Sequence, residues 1–124
     1  MQDQPTPGEL TKAVADFLRN DIAPLISGHN AFKLRVAINA LDLVTRQLTL
    51  EHGSDEAESA RLAQLLGQQG PLLDLNRILA ERIAAGDLDL QTPGLSEHLW
   101  QTTMDKLAVD QPNYAAYKRE LGKV

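Results

Sequence analysis

Between Phe32 and Val44, the apolar residues Leu34, Ala37, Ile38, Leu41 and Val44 recur at three- and four-residue steps, with Val36, Ala40 and Leu43 beside them. That spacing predicts a helix from about Asn30 or Ala31 to His52, closed by Gly53. A helix apolar around so much of its circumference is expected near the centre of a bundle. Arg35 and Asn39 lie in the same stretch and would then need buried partners.

The same logic extends along the chain. Thr6-Pro7-Gly8-Glu9 has the form of a capping box with proline at the first helical position, and Leu10, Val14, Phe17 and Leu18 give the helix it opens one apolar face. Pro24, within Ile22 to Gly28, should break that helix. Ser54 and Asp55 suit the cap of a third helix that bears Leu62, Leu65 and Leu66 and stops at Gly67. A fourth is predicted from near Pro71 to Ala85, with Gly86 as terminator. Asp87 to Leu90 reads as briefly extended. Thr92 and Pro93 then open a fifth helix with Leu95, Leu99, Trp100, Met104 and Leu107, ending before Pro112. A short helix or turn over 113–121 completes an all-α, single-domain bundle of five to six helices spanning 1–124, with residues 1–5 expected to be flexible.

Composition supports helix-on-helix packing. Of the 124 residues, 43% are hydrophobic but only 4% aromatic, so the core must be chiefly Leu, Ile, Val and Ala. A formal net charge of -5 with no Lys/Arg run argues against nucleic acid and anionic membrane surfaces as partners. Without cysteine there are no disulfides or thiolate metal sites. The N-terminus lacks the apolar core of a signal peptide, and no apolar run approaches a membrane span, so a cytoplasmic location is expected.

Three groups of polar residues are candidates for a site. Arg35 and Asn39 share a helix face, either as internal fasteners or as an anion- or amide-recognition point. Asp74, Asn76 and Arg77 open the fourth helix; the carboxylate suits the helix dipole there, and Asn76 and Arg77 read as solvated, though a polar group facing inward would meet the second helix. The densest group is Thr102, Thr103, Asp105, Lys106, Asp110, Asn113, Tyr114 and Tyr117, which either caps and restarts helices or faces a partner. His29, His52 and His98 are not spaced as a metal pair, His52 suits a helix C-terminus, and adjacent Glu97 and His98 diverge on a helix. No phosphate loop, dinucleotide fingerprint or nucleophile elbow occurs, so neither a cofactor nor stand-alone catalysis is expected.

Four blocks carry a family resemblance: residues 5–10 with 14–18; Arg35-Val36-Ala37-Ile38-Asn39-Ala40-Leu41; Leu75-Asn76-Arg77-Ile78-Leu79; and the segment from Lys106 to Tyr114. In order and spacing they resemble a small bacterial helical family encoded beside aminoglycoside-phosphotransferase-like kinases and acyl-CoA dehydrogenases, which includes the LvaB-like accessory proteins of levulinate catabolism. The resemblance implies a non-catalytic accessory subunit of a hydroxyacyl-CoA kinase, with acyl-CoA reached through the complex. It supplies no catalytic residue. The matching polar positions, taken as partner- or ligand-facing, are Arg35, Asn39, Asn76, Arg77, Lys106, Asp110, Asn113 and Tyr114. Trp100, Tyr114 and Tyr117 are the candidate anchors of an interface, with Trp100 also suited to a core. Two alternatives stand beside this. Tyr114-Ala115-Ala116-Tyr117-Lys118 is similar to a Tyr-x-x-Tyr-Lys segment of acyl-CoA-binding proteins, which implies a small ligand-binding module. Amphipathic bundles also self-associate through a leftover apolar stripe.

Overall fold

The computed structural model describes residues 3–123; Met1 and Gln2 of the segment expected to be flexible lie outside them. The architecture is all-α, as the periodicity predicts, with no strand among the described residues. Its helices are α1 (Pro7–Phe17), α2 (Gly28–Leu66), α3 (Leu72–Ala84), α4 (Leu95–Asp110) and α5 (Ala115–Leu121). The chain divides into two compact units, Met1–Glu51 and His52–Val124.

In the first unit the predicted capping box forms. The Glu9 N–H donates to Thr6 Oγ1 at 3.2 Å, and the Thr6 N–H donates to Glu9 Oε2 at 2.7 Å. Lys12, beside Asp16 at 2.6 Å, holds that carboxyl below its usual range. A π-helical turn (Leu18–Ile22) and a 3₁₀ turn (Ala23–Leu25) then end the helical run around Pro24, as proline requires. The chain returns antiparallel along α1, with the Thr11 and Thr45 hydroxyls 2.7 Å apart and Arg19 paired with Asp42.

Burial in this unit differs from expectation. Of the apolar residues between Phe32 and Val44 only Ile38 is buried, and Phe32, Val36, Leu43 and Val44 are exposed. The physical reason is that one short helix, α1, covers one side of α2 there. Arg35 and Asn39 are therefore on an exposed surface and not inside a bundle.

The predicted break at Gly53 is absent, and α2 runs uninterrupted for 39 residues. A helix-ending glycine takes a positive φ, as Gly67 (+68°) and Gly86 (+81°) do; Gly53 does not. One glycine inside a helix costs only about 1 kcal/mol, less than orphaning a turn of backbone groups. His52 is consequently a mid-helix residue paired with Glu56 at 3.2 Å, and Ser54 and Asp55 cap nothing.

The second unit has the core. Leu62 and Leu66 of α2, Leu75 and Leu79 of α3, and Leu95 of α4 are sealed together, with Leu65, Leu72, Ile78 and Leu88 packed around them. Helix α3 matches its predicted span to within a residue. The following loop departs from expectation. Residues 87–90 form bends and turns, and the Arg82 carbonyl accepts the N–H groups of Asp87 and Leu88. Thr92 does not cap α4, because its hydroxyl accepts the Asp89 N–H at 3.0 Å. Gly94, with φ +85°, holds the cap position instead.

Candidate functional site

Helix α4 ends at Gln111, whose N–H donates to the Leu107 carbonyl at 2.9 Å; the Tyr114 N–H then donates to the Gln111 carbonyl at 2.9 Å. This turn, which contains Pro112, starts α5 at Ala115 with Tyr114 as its cap residue. The reversal lays α5 along α4 and leaves a groove between them. Its wider part encloses about 440 Å³ and is lined by Trp100, Met104, Ala108, Tyr117 and Leu121, with Asp105, Glu120 and Lys123 at polar positions. A narrower hollow of about 220 Å³ adds Thr103, Leu107 and Tyr114 and shares Trp100, Met104 and Tyr117.

Trp100 and Tyr114 are each 54% exposed. Trp100 is thus a surface residue, not core. An exposed Trp beside Met and Tyr, rimmed by charges, is the composition of a protein-binding anchor site. Tyr114 lines the groove, while Lys106, Asp110 and Asn113 are exposed on α4 and the turn after it. Arg77 is an exposed residue of α3, between Asp74 at 3.8 Å and Glu81 at 3.1 Å. Asn76, read as solvated alongside Arg77, instead turns inward: its amide donates at 2.7 Å to Glu58 Oε1, on the part of α2 read as a separate third helix. Arg35 and Asn39 belong to the first unit and the other six candidates to the second.

A second polar cluster surrounds His98, which is 2% exposed. Arg61 Nε donates to His98 Nδ1 at 3.4 Å, and its Nη2 reaches Thr102 Oγ1 and Asp105 Oδ2, both at 3.5 Å. Burial, and then the adjacent guanidinium, hold the imidazole below its usual range, against the pull of Glu58. A hollow of about 440 Å³, lined by Arg61, Gln64, Leu65, Pro93, Glu97 and His98, lies beside it. Sequence reading picked out Thr102 and Asp105 but did not join them to Arg61 and His98. The signal for the cluster was the run Leu95, His98, Thr102 and Asp105 at three- and four-residue steps, which puts the polar groups on the face that carries a core leucine. Neither region pairs a nucleophile with a base, and among the described residues no group of three acidic or histidine side chains is placed to hold a metal ion.

The model of a family described as a domain of unknown function, DUF6285, matches residues 24–114, more than half of the chain. The chain belongs to the DUF6285 family. Comparison with curated proteins and with solved structures gives no match. The DUF6285 span contains α2, α3 and α4 and ends at Tyr114, so it includes Arg61, His98 and Trp100. Tyr117, Glu120 and Leu121, which complete the groove, follow it, and α1 precedes it. No helix among the described residues is long and apolar enough to cross a membrane.

Proposed function

We propose that this chain is a non-catalytic accessory subunit of an aminoglycoside-phosphotransferase-like hydroxyacyl-CoA kinase, and that the groove between α4 and α5 receives the kinase. The observation that carries the binding role is the exposure of Trp100 and Tyr114 beside Met104 and Tyr117. The kinase itself is implied by the family resemblance of the four sequence blocks. A kinase of this type brings its own nucleotide, metal and catalytic base. A helper then needs only to hold a competent conformation of its partner, which requires surface and no chemistry.

The test is co-purification with the kinase encoded beside it, followed by ATP-dependent phosphorylation of a hydroxyacyl-CoA with and without this chain. A stable complex, with activity only when both are present, is the expected result. Trp100→Ala should leave the helical circular dichroism unchanged and weaken the complex by about 2 kcal/mol or more, a roughly thirtyfold loss. Unchanged binding by a folded Trp100→Ala protein would remove the groove from the interface. Saturable acyl-CoA binding by the isolated chain, lost in Tyr117→Ala, would favour a ligand-binding module instead; the narrow hollow between Tyr114 and Tyr117 is the place for it.

A further inference from the structure

Among its described residues the first unit buries two apolar side chains, Ala15 and Ile38, which is little core for a helix pair. Many of its other apolar side chains are exposed: Phe32, Val36, Leu43 and Leu50 lie on another side of α2, and two further stripes, one on each helix, share a single face. Leu10, Val14 and Phe17, at four- and three-residue steps, occupy the side of α1 turned away from Ala15 and are 44, 48 and 53% exposed. On α2, Ala37, Ala40 and Val44 form a stripe to one side of Ile38 and Thr45, which face α1; all three are exposed, Val44 at 41%. On the antiparallel pair, a helical wheel places both stripes on the same face.

Two features of this face are self-complementary. The α2 stripe continues to Lys33 at one end and Glu51 at the other, both exposed, and neither makes an ion pair with a described residue. Their midpoint in sequence is residue 42. Thr11 lies level with Thr45, so in an antiparallel pair Val14, the middle of the α1 stripe, lies level with residue 42 as well. A single two-fold axis at that level sets Lys33 of each copy against Glu51 of the other and centres both apolar stripes on themselves. A two-fold axis along the helices would instead set α2 of each copy against α1 of the other, and Lys33 and Glu51 would not meet.

We propose that this face binds a second copy of the chain, antiparallel, closing two helix pairs into a four-helix bundle. The six apolar side chains, roughly half exposed, offer on the order of 400 Å² of apolar surface, within the ~300–600 Å² of a monomer's largest patch, which is often functional. With the polar rim the face approaches the ~800 Å² that each partner gives to a stable interface. Alanines at two of the three α2 positions let the backbones approach closely. The dimer is independent of the kinase reading, because the α4–α5 groove takes no part in it.

Sedimentation equilibrium of the full chain, from low to high micromolar concentration, is the test. The expected mass moves from 13.6 kDa to twice that value. Val44→Glu should raise the dissociation constant at least about tenfold with helicity unchanged. Lys33→Glu and Glu51→Lys should each weaken the dimer about threefold, and the double exchange should restore it. These two positions are fully outside the core, so the exchange reads the interface even if Val44→Glu perturbs folding. A monomer at every concentration, or a dimer indifferent to Val44→Glu, overturns the proposal; single charge changes that the double exchange does not repair overturn the antiparallel register. Trp100→Ala should leave the dimer intact while weakening the kinase, which keeps failure of one proposal distinct from failure of the other.

Discussion

The two units are built from similar helical sequences, but they treat their leucines differently. In the second, Leu62, Leu66, Leu75, Leu79 and Leu95 from three helices are at most 6% exposed. In the first, Leu10, Val14, Phe17, Val36 and Leu48 stand in equally regular helical positions and are all more than 40% exposed. Periodicity therefore shows that a helix has an apolar side, but not that the same chain covers it. What covers it depends on how many helices converge, three in one case and two in the other.

The contrast is most easily broken by truncating one side chain in each unit. Leu75→Ala should cost about 3 kcal/mol in urea unfolding, because it opens a cavity in a sealed core. Val14→Ala, measured at a concentration low enough to favour the monomer, should cost less than about 1 kcal/mol. Equal losses would show that the first unit has a core of its own. An effect between these two, about 1–3 kcal/mol, is expected from Asn76→Ala, which leaves the half-buried Glu58 carboxylate without its amide donor. Stability at the wild-type level would instead mean that water replaces the donor.

A pH comparison sharpens the same contrast, since the one buried histidine lies in the second unit. The folded imidazole of His98 titrates below its ordinary value, so the unfolded chain takes up the proton first. Stability from this group is complete above about pH 6.5 and declines as pH falls below it. The urea midpoint should drop between about pH 7.5 and about pH 5.5 in the wild type, and drop less in His98→Asn. An identical decline in both proteins would assign the pH dependence elsewhere. The smallest change concerns Gly53, whose added methyl would meet nothing within 4 Å. Gly53→Ala should raise stability by about 0.5–1 kcal/mol, as in any continuous helix. A loss would indicate that α2 bends at that position.

Much of the architecture was legible because caps and breakers are local. Thr6 with Glu9, Pro24, Gly67, Pro71 and Gly86 all act within a turn of where they stand. The errors came where a local signal had a competitor. Gly53 and Ser54-Asp55 spell a helix boundary, yet strong helix formers continue on both sides and the helix wins. Thr92 is a good cap residue, but its hydroxyl was claimed first by the Asp89 N–H. The candidate groove was legible in part: Tyr114 was picked out, and Trp100 was weighed as an anchor or a core residue. Its exposure depends on how α5 lies back on α4, a tertiary fact that periodicity does not encode. Arg61 and His98 escaped because a charged residue and a histidine satisfy each other only once two distant helices meet.

Trp100 is the chain's single tryptophan, and it is half exposed in the groove rather than enclosed by the leucine core. Its fluorescence is therefore a poor reporter of unfolding and a good one of occupancy: a segment seated against the indole should shift its emission to the blue and shield it from a soluble quencher. The proposed binding at the groove can be tested without any attached dye, on a signal that the core itself does not obscure.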